Sequence, residues 1–196
     1  SATKVSNSFF SFNSTLNPGS NGGGAIENNQ AGNVLISNST FSFNNSKYAG
    51  GAILDLNSNT LISDCIITNN IARNGAGIQM NNNTNTIVNK CSIENNTATN
   101  TGGGVFISSG KINQSSIRGN TAITGAGIYT AISSPMISNS LISGNAATSS
   151  GGGVYCSSNS SLALYNCSIS GNTAINGGGV HLAGPGNTPS VYNSII

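Results

Sequence analysis

Four acidic residues are the side chains best suited to chemistry in this 196-residue chain. Two or three carboxylates that converge in a groove can bind calcium, or act as acid and base in cleaving a polysaccharide. Glu27 and Asp55 follow two copies of one glycine motif by one and two residues, so strand alternation should place them on opposite faces. Asp64 falls at a turn position, and Glu94 is expected to pair with Arg118 at the surface. The sequence therefore predicts no carboxylate cluster and no catalytic residues.

The single histidine and the four cysteines have no spacing typical of a metal site. Cys65 and Cys91 occupy equivalent positions in adjacent repeats, and Cys167 occupies the same position three repeats later. Their separation would allow a disulfide, but parallel Cβ directions favour buried free thiols. Cys156 could alternatively meet Cys167 across the core. The sequence predicts no bound metal and no cofactor.

An aromatic column gives the strongest surface signal. Phe106, Tyr129, Tyr155 and His181 recur at one outward position of successive repeats. An exposed column of this kind could bind sugar rings or a protein partner. The alternatives are that the rings only stack on one another, or lie under another part of a longer protein.

The same column begins with Leu54 and Gln79. Other outward positions hold Ser and Thr, which leaves an ice-binding face as a further alternative: Ser37, Ser63, Ser138, Thr40 and Thr68. Those columns also contain Tyr165, Glu94 and Arg118, which interrupt a regular face.

Seven clusters of small residues ending in Ile or Val define the repeat that positions these side chains. They are Gly23–Ile26, Gly50–Ile53, Gly75–Ile78, Gly102–Val105, Gly125–Ile128, Gly151–Val154 and Gly177–Val180. A constant period of about 26 residues indicates one structural unit stacked on itself. Glycine at these points suits a tight corner with positive φ.

A second motif, apolar-x-x-Asn, alternates with the glycine clusters. Its asparagines are Asn13, Asn44, Asn70, Asn96, Asn120, Asn145 and Asn172. Asparagine tolerates the left-handed conformation, and a stacked column can form a ladder of amide hydrogen bonds. We therefore interpret these residues as structural.

An aliphatic column lies five positions before the apolar residue of that motif. Its members are Val5, Ile36, Ile62, Val88, Ile112, Ile137, Leu164 and Val191. Apolar residues alternate with period two around both motifs and around this column, which indicates strands, and no window has helical periodicity. Three short strands per repeat, with columns stacked about 4.8 Å apart, predict an all-β parallel β-helix of seven to eight coils.

Composition and charge narrow the possible partners. Asn, Ser and Thr make up about two in five residues, whereas only ten residues are charged and the net charge is +2. The scattered basic residues argue against a nucleic-acid partner, and no apolar run could span a membrane. We expect one domain over residues 1–196, and the low charge favours a secreted or cell-surface protein.

Two pairs of tetrapeptides carry a family resemblance. Phe10–Asn13 with Gly23–Ile26, and Phe41–Asn44 with Gly50–Ile53, resemble the chlamydial polymorphic outer membrane protein repeat. The segment Gly119–Tyr129 resembles surface proteins with right-handed parallel β-helix repeats. This resemblance implies a right-handed coil in a secreted or outer-membrane-associated region that is often adhesive and sometimes oligomeric. From the third repeat onward Ile replaces Phe, and no membrane-barrel segment is present.

We expect a non-catalytic extracellular or cell-surface β-helix that acts as an adhesin, a stalk or a self-assembling module. A polysaccharide-binding or polysaccharide-degrading β-helix and an ice-binding protein are the alternatives. The expected partner is a protein or carbohydrate at a cell surface, or a second copy bound end to end. Both ends fall inside a repeat, which predicts either a segment of a longer protein or a fibre. Two irregular loops, Leu16–Asn21 and Gly184–Pro189, are candidates for specificity.

Overall fold

The chain winds into a solenoid of short parallel strands. The computed structural model describes residues 3–16, 22–30, 32–81, 85–131 and 134–196, and none of these residues is helical. The coils build four separate sheets, and each strand inside a sheet pairs with its counterparts in the preceding and following coils. The predicted all-β parallel solenoid is confirmed.

Sheets A and B contain the aliphatic column and the apolar-x-x-Asn motif. The strands of sheet A are Thr3–Ser6, Asn33–Ser37, Asn59–Ser63, Ile87–Asn89, Lys111–Asn113, Met136–Ser138, Ala163–Tyr165 and Ser190–Tyr192. The strands of sheet B are Phe9–Ser11, Thr40–Ser42, Ile66–Thr68, Ser92–Glu94, Ser116–Arg118, Leu141–Ser143 and Ser168–Ser170. The chain crosses sheet A eight times, in agreement with the expected coil number.

Sheets C and D complete each coil. The strands of sheet C are Ser14–Thr15, Asn45–Ser46, Ile71–Asn74, Thr97–Thr101, Thr121–Thr124 and Ala146–Ser150. The strands of sheet D are Ile26–Asn29, Ile53–Leu56, Ile78–Asn81, Val105–Ile107, Ile128–Thr130, Val154–Cys156 and Val180–Leu182. The three strands predicted for each repeat lie in sheets D, A and B. Sheet C adds a short strand directly after each of the first six motif asparagines, and only isolated bridges follow Asn172.

The stacking register follows the repeat. In sheet A, Val88 pairs with Ile62 on one side and Ile112 on the other, and all three side chains are fully buried. Sheet B and sheet D keep the same arrangement of their apolar columns. Stacked aliphatic columns therefore form one continuous core along the axis. Burying each Ile or Val contributes roughly 1.5–3 kcal/mol relative to leaving it exposed.

A separate, narrower core lies beneath sheet C. It consists of alanines alone, namely Ala72, Ala76, Ala98, Ala122, Ala126 and Ala147. Because alanine has only one side-chain carbon, sheet C and the glycine corner approach each other closely. The interior is therefore thin on this side of the coil.

The left-handed turn residue differs from the one predicted. Asn96 and Asn120 do not have positive φ; the residues just before them, Asn95 and Gly119, have φ of 55° and 63°. The same holds earlier in the chain, where Phe43 has φ of 56°. The asparagine after each turn instead points inward and hydrogen bonds, so its conformation was predicted wrongly although its position was correct.

Candidate binding surface

The aromatic column forms on the outer face of sheet D as predicted. Phe106 pairs with Tyr129, Tyr129 with Tyr155, and Tyr155 with His181. The ring centroids of these successive pairs are 5.1, 5.1 and 5.3 Å apart, and their planes differ by only 10–17°. All four side chains are half-buried. The strands thus bring together rings that are 23 to 26 residues apart in sequence.

Glycines form the corner that packs against the base of the aromatic side chains. Gly102 and Gly125 have φ of 67° and 62°, and they lie four residues before Phe106 and Tyr129. A Cβ atom on Gly125 would lie 2.9 Å from the Cβ of Tyr129 and 2.8 Å from the carbonyl oxygen of Ile128. The corner therefore requires glycine both for its backbone conformation and for the space that the ring's base occupies.

The ring arrangement limits what the column can bind. Both faces of Tyr129 and Tyr155 are turned toward neighbouring rings, so the column presents mainly ring edges and tyrosine hydroxyl groups to solvent. Burial raises the pKa of Tyr129, and charge on Tyr155 raises it further. The Tyr129 hydroxyl is therefore protonated at neutral pH and can donate a hydrogen bond.

The N-terminal end of the column differs from its aromatic part. Leu54 is fully buried and Gln79 is 6% exposed, although both occupy the outward position of sheet D. The side-chain oxygen of Gln79 has no hydrogen-bond partner among the described residues. The accessible part of the column accordingly begins at Phe106, and the expected outward exposure of Leu54 and Gln79 is wrong.

The predicted asparagine ladder is continuous. In Asn44, Asn70, Asn96 and Asn120 the side chains are fully buried. Asn96 accepts hydrogen bonds from the backbone nitrogen and Nδ2 of Asn70, each at 2.9 Å. Its own Nδ2 donates to Oδ1 of Asn120 and to the carbonyl oxygen of Ile67, each at 3.0 Å.

The ladder extends over every predicted member. Equivalent side-chain bonds join the rungs Asn13–Asn44, Asn44–Asn70, Asn120–Asn145 and Asn145–Asn172. Each buried amide is satisfied, which a buried polar column requires. These residues are structural, and of the seven only Asn13 and Asn172, at the two ends of the ladder, are accessible to solvent.

The acidic residues remain dispersed. Asp55 points inward and is fully buried, where its carboxylate accepts hydrogen bonds from Asn28, Thr60 and Thr86 at 2.7–2.8 Å. Glu27 is exposed on the opposite side of the same sheet, as strand alternation predicts. Asp64 lies in an exposed turn with φ of 54°.

Glu94 pairs with Arg118 on the adjacent coil, at 3.0 Å. Partial burial works to raise the pKa of the Glu94 carboxyl, but hydrogen bonds from Ser92 and Arg118 and the charge of Arg118 outweigh it and lower the pKa. The pair lies on the surface of sheet B, away from the aromatic column.

All four cysteines are buried free thiols. Cys65 and Cys91 stack in one column and donate to the carbonyl oxygens of Ile36 and Ile62 in the preceding coils, at 3.8 and 3.5 Å. A hydrogen bond between the two thiols lowers the pKa of Cys65, whereas the same bond and burial raise the pKa of Cys91. Burial raises the pKa of Cys156 to about 11. Cys91 and Cys156 are therefore protonated at neutral pH, which makes them poor nucleophiles.

Among the described residues there is neither a metal-binding cluster nor a membrane-spanning helix. No three His, Cys, Asp or Glu side chains among them lie close enough to hold a metal ion together. The part of the chain that the structure describes also contains no helix able to cross a membrane.

Of the two candidate loops, residues 17–21 lie outside the described residues. In the other loop, Oδ1 of Asn187 accepts a bond from the backbone of Ser160 at 2.9 Å, which ties it to the preceding coil.

One surface was missed in the sequence. The outer face of sheet C shows exposed Thr97, Thr99, Thr121 and Ile123 around buried alanines. These residues follow the motif asparagine in the order Thr-Ala-Thr or Thr-Ala-Ile, and this alternation is the sequence signal that could have indicated a fourth strand. By contrast, Ser37 and Ser63, considered earlier for an ice-binding face, are nearly buried, at 8% and 9% exposure.

Comparison with known proteins agrees with the fold. A family model described as the right-handed β-helix region matches residues 2–139. No curated protein and no solved structure matches the chain. The match covers more than half of the sequence and accords with the four stacked parallel sheets. The chain therefore belongs to the right-handed β-helix family.

Proposed function

We propose that this protein is a non-catalytic adhesin of the cell surface or the extracellular space, and that the aromatic column is its binding surface. The observation that carries the proposal is the column itself. Four large side chains lie at one outward position of successive coils and remain partly accessible. Aromatic residues of this kind are enriched where proteins bind one another.

The dispersed acidic residues support a non-catalytic role. Polysaccharide cleavage requires carboxylates that face one groove. In this chain Asp55 is bonded inside the core, Glu94 pairs with Arg118, and Glu27 lies on the opposite side of sheet D from Asp55. A surface location is supported by the low charge and by the resemblance of the first two repeats to the chlamydial polymorphic outer membrane protein repeat.

A protein partner fits the column better than a carbohydrate does. Sugar rings bind aromatic side chains through the ring faces, and the faces of Tyr129 and Tyr155 are occupied by their neighbours. Ring edges and hydroxyl groups, in contrast, suit the mixed apolar and polar contacts of a protein interface.

The test compares two pairs of stacked tyrosines. The purified domain is screened against a panel of purified extracellular proteins and a glycan array, and any hit is measured by surface plasmon resonance. Tyr129→Ala/Tyr155→Ala should weaken binding to a protein hit at least about tenfold, since aromatic anchors often contribute 2 kcal/mol or more.

Tyr165→Ala/Tyr192→Ala is the matched control, because these two rings also stack, at 5.2 Å, but on sheet A. It should leave the affinity unchanged. Equal loss in both variants would contradict the assignment of the column. Cleavage of any member of a polysaccharide panel by the wild-type protein would instead establish an enzyme.

A further inference from the structure

The outer face of sheet C and its continuation carry a repeated array of small, uncharged side chains. In four successive coils the chain alternates exposed, inward and exposed positions, with alanine at each inward position. The outward residues are Thr97, Thr99, Thr121, Ile123, Ala146, Thr148, Thr173 and Ile175. Every one of these side chains carries a methyl group, and none is charged.

Strand pairing gives this array a regular spacing. Thr97 pairs with Thr121, Thr121 with Ala146, and Ala146 with Thr173. Adjacent coils are about 4.8 Å apart, and residues two apart along a strand are separated by roughly 6.6 Å. The hydroxyl of Thr121 donates to that of Thr97 at 3.1 Å, which orders both side chains. The register shifts farther along these strands, so the first column is the most regular.

The shape of the face suits an extended surface. Thr99, Thr121, Ile123 and Thr148 line a wide, shallow depression of about 280 Å³, together with the backbone around the alanines. The preceding coil ends the uncharged region, because Arg73 is exposed on this side. Sheet B, in contrast, carries the Glu94–Arg118 pair in its outward columns.

We propose that this face binds the surface of ice. Five of the eight outward residues carry hydroxyl groups, which can hold water in an ordered layer along the coil spacing of the first column. Ice presents its oxygens at a comparable spacing. The methyl groups between them displace water that is not part of that layer. A charged side chain would hold its own hydration shell and break the order, and the eight outward residues contain none. This activity uses a face other than the aromatic column and is independent of it.

The experiment measures thermal hysteresis and the partition of protein into slowly growing ice. Wild-type protein should be enriched in the ice fraction and should shape the crystals. Thr97→Tyr/Thr121→Tyr should reduce thermal hysteresis at least about tenfold at equal concentration. Thr40→Tyr is the matched control, since Thr40 is an outward residue of sheet B, and it should retain wild-type activity.

A second variant keeps the test informative if the tyrosine substitutions disrupt folding. Ile123 is 45% exposed, so Ile123→Lys should fold normally and should still lose ice binding through its charge. Circular dichroism melting checks each variant. Exclusion of the wild-type protein from ice would overturn the proposal, as would equal loss in Thr40→Tyr. Binding to crystalline cellulose or chitin with the same dependence on Thr97 and Thr121, without ice binding, would overturn it too. Tyr129→Ala/Tyr155→Ala should leave ice partition unchanged, which separates this result from the adhesin proposal.

Discussion

Two columns of stacked side chains run along this solenoid, and they differ in what surrounds them. The asparagine ladder is enclosed, and each inner amide bonds to the coils on both sides. The aromatic column rests on a glycine corner and is open on its outer side. Both recur once per coil, so repetition alone does not separate structure from binding. Burial and completed hydrogen bonding identify the structural column, and partial exposure identifies the candidate surface.

Removing one inner asparagine of the ladder should reduce the free energy of unfolding more than any other change considered below. Asn96→Ala leaves the backbone N–H of Asn70 without its acceptor, and it removes the Asn96 bonds to Nδ2 of Asn70 and to the carbonyl oxygen of Ile67. We expect the free energy of unfolding to fall by about 3–5 kcal/mol, measured by urea denaturation. Asn89→Ala is the control, since Asn89 is half-exposed and its amide bonds to Asn113 at the surface. A loss as large as that of Asn96→Ala would mean that burial does not distinguish the two.

Gly125, beneath the aromatic column, and Gly144, in the turn after the sheet B strand Leu141–Ser143, separate conformational strain from steric conflict. Gly125 and Gly144 have φ of 62° and 63°, but a Cβ on Gly144 would have no neighbour closer than 4.0 Å. Gly144→Ala should cost about 1–2 kcal/mol from the left-handed backbone alone. Gly125→Ala should cost roughly 1–2 kcal/mol more, because its Cβ conflicts with Tyr129. Equal melting temperatures for the two variants would show that the column does not rest on this corner.

Alkaline pH should weaken the interior before it affects the surface column. The Cys156 pKa is raised to about 11, so this thiol stays neutral in the folded protein while the unfolded chain ionises. Its contribution is complete below about pH 8.5 and is lost as the pH rises to about 11, a loss of roughly 3 kcal/mol. Denaturation of wild-type and Cys156→Val protein across this range measures the difference. Identical pH dependence in both proteins would contradict the role of burial.

Tyr129→Ala should affect stability less than loss of an inner asparagine rung. It removes two stacked pairs, each worth about 0.5–1.5 kcal/mol, from a half-buried position. We expect a loss of roughly 1–3 kcal/mol with the fold intact by circular dichroism. A larger loss than in Asn96→Ala would place the aromatic column among the structural elements.

The exposed ion pair should have the smallest effect. The Arg118 side chain is 57% exposed, so solvent screens its interaction with Glu94. Arg118→Ala should change the free energy of unfolding by less than about 1 kcal/mol, and added salt should reduce even that. A strong salt-dependent loss would show that surface charge contributes to the stacking of coils.

The sequence predicted the register because each apolar column repeats once per coil. Val5, Ile62 and Val88 could be aligned by spacing alone, and so could every ladder asparagine. The sequence did not reveal that Leu54 and Gln79 are buried, because strand alternation gives the direction of a side chain but not what covers it. Sheet C was missed because its strands are short and follow a turn, so their alternation spans only three residues.

The central claim is that residues about one repeat apart become vertical neighbours, since both columns depend on it. Nuclear Overhauser effects between the amide regions of Ile62, Val88 and Ile112 test this directly. The structure pairs Val88 with both partners, so cross-strand contacts at a strand spacing of about 4.8 Å should appear from Val88 to each. If Val88 showed contacts to neither residue, the stacked register and both column assignments would be wrong.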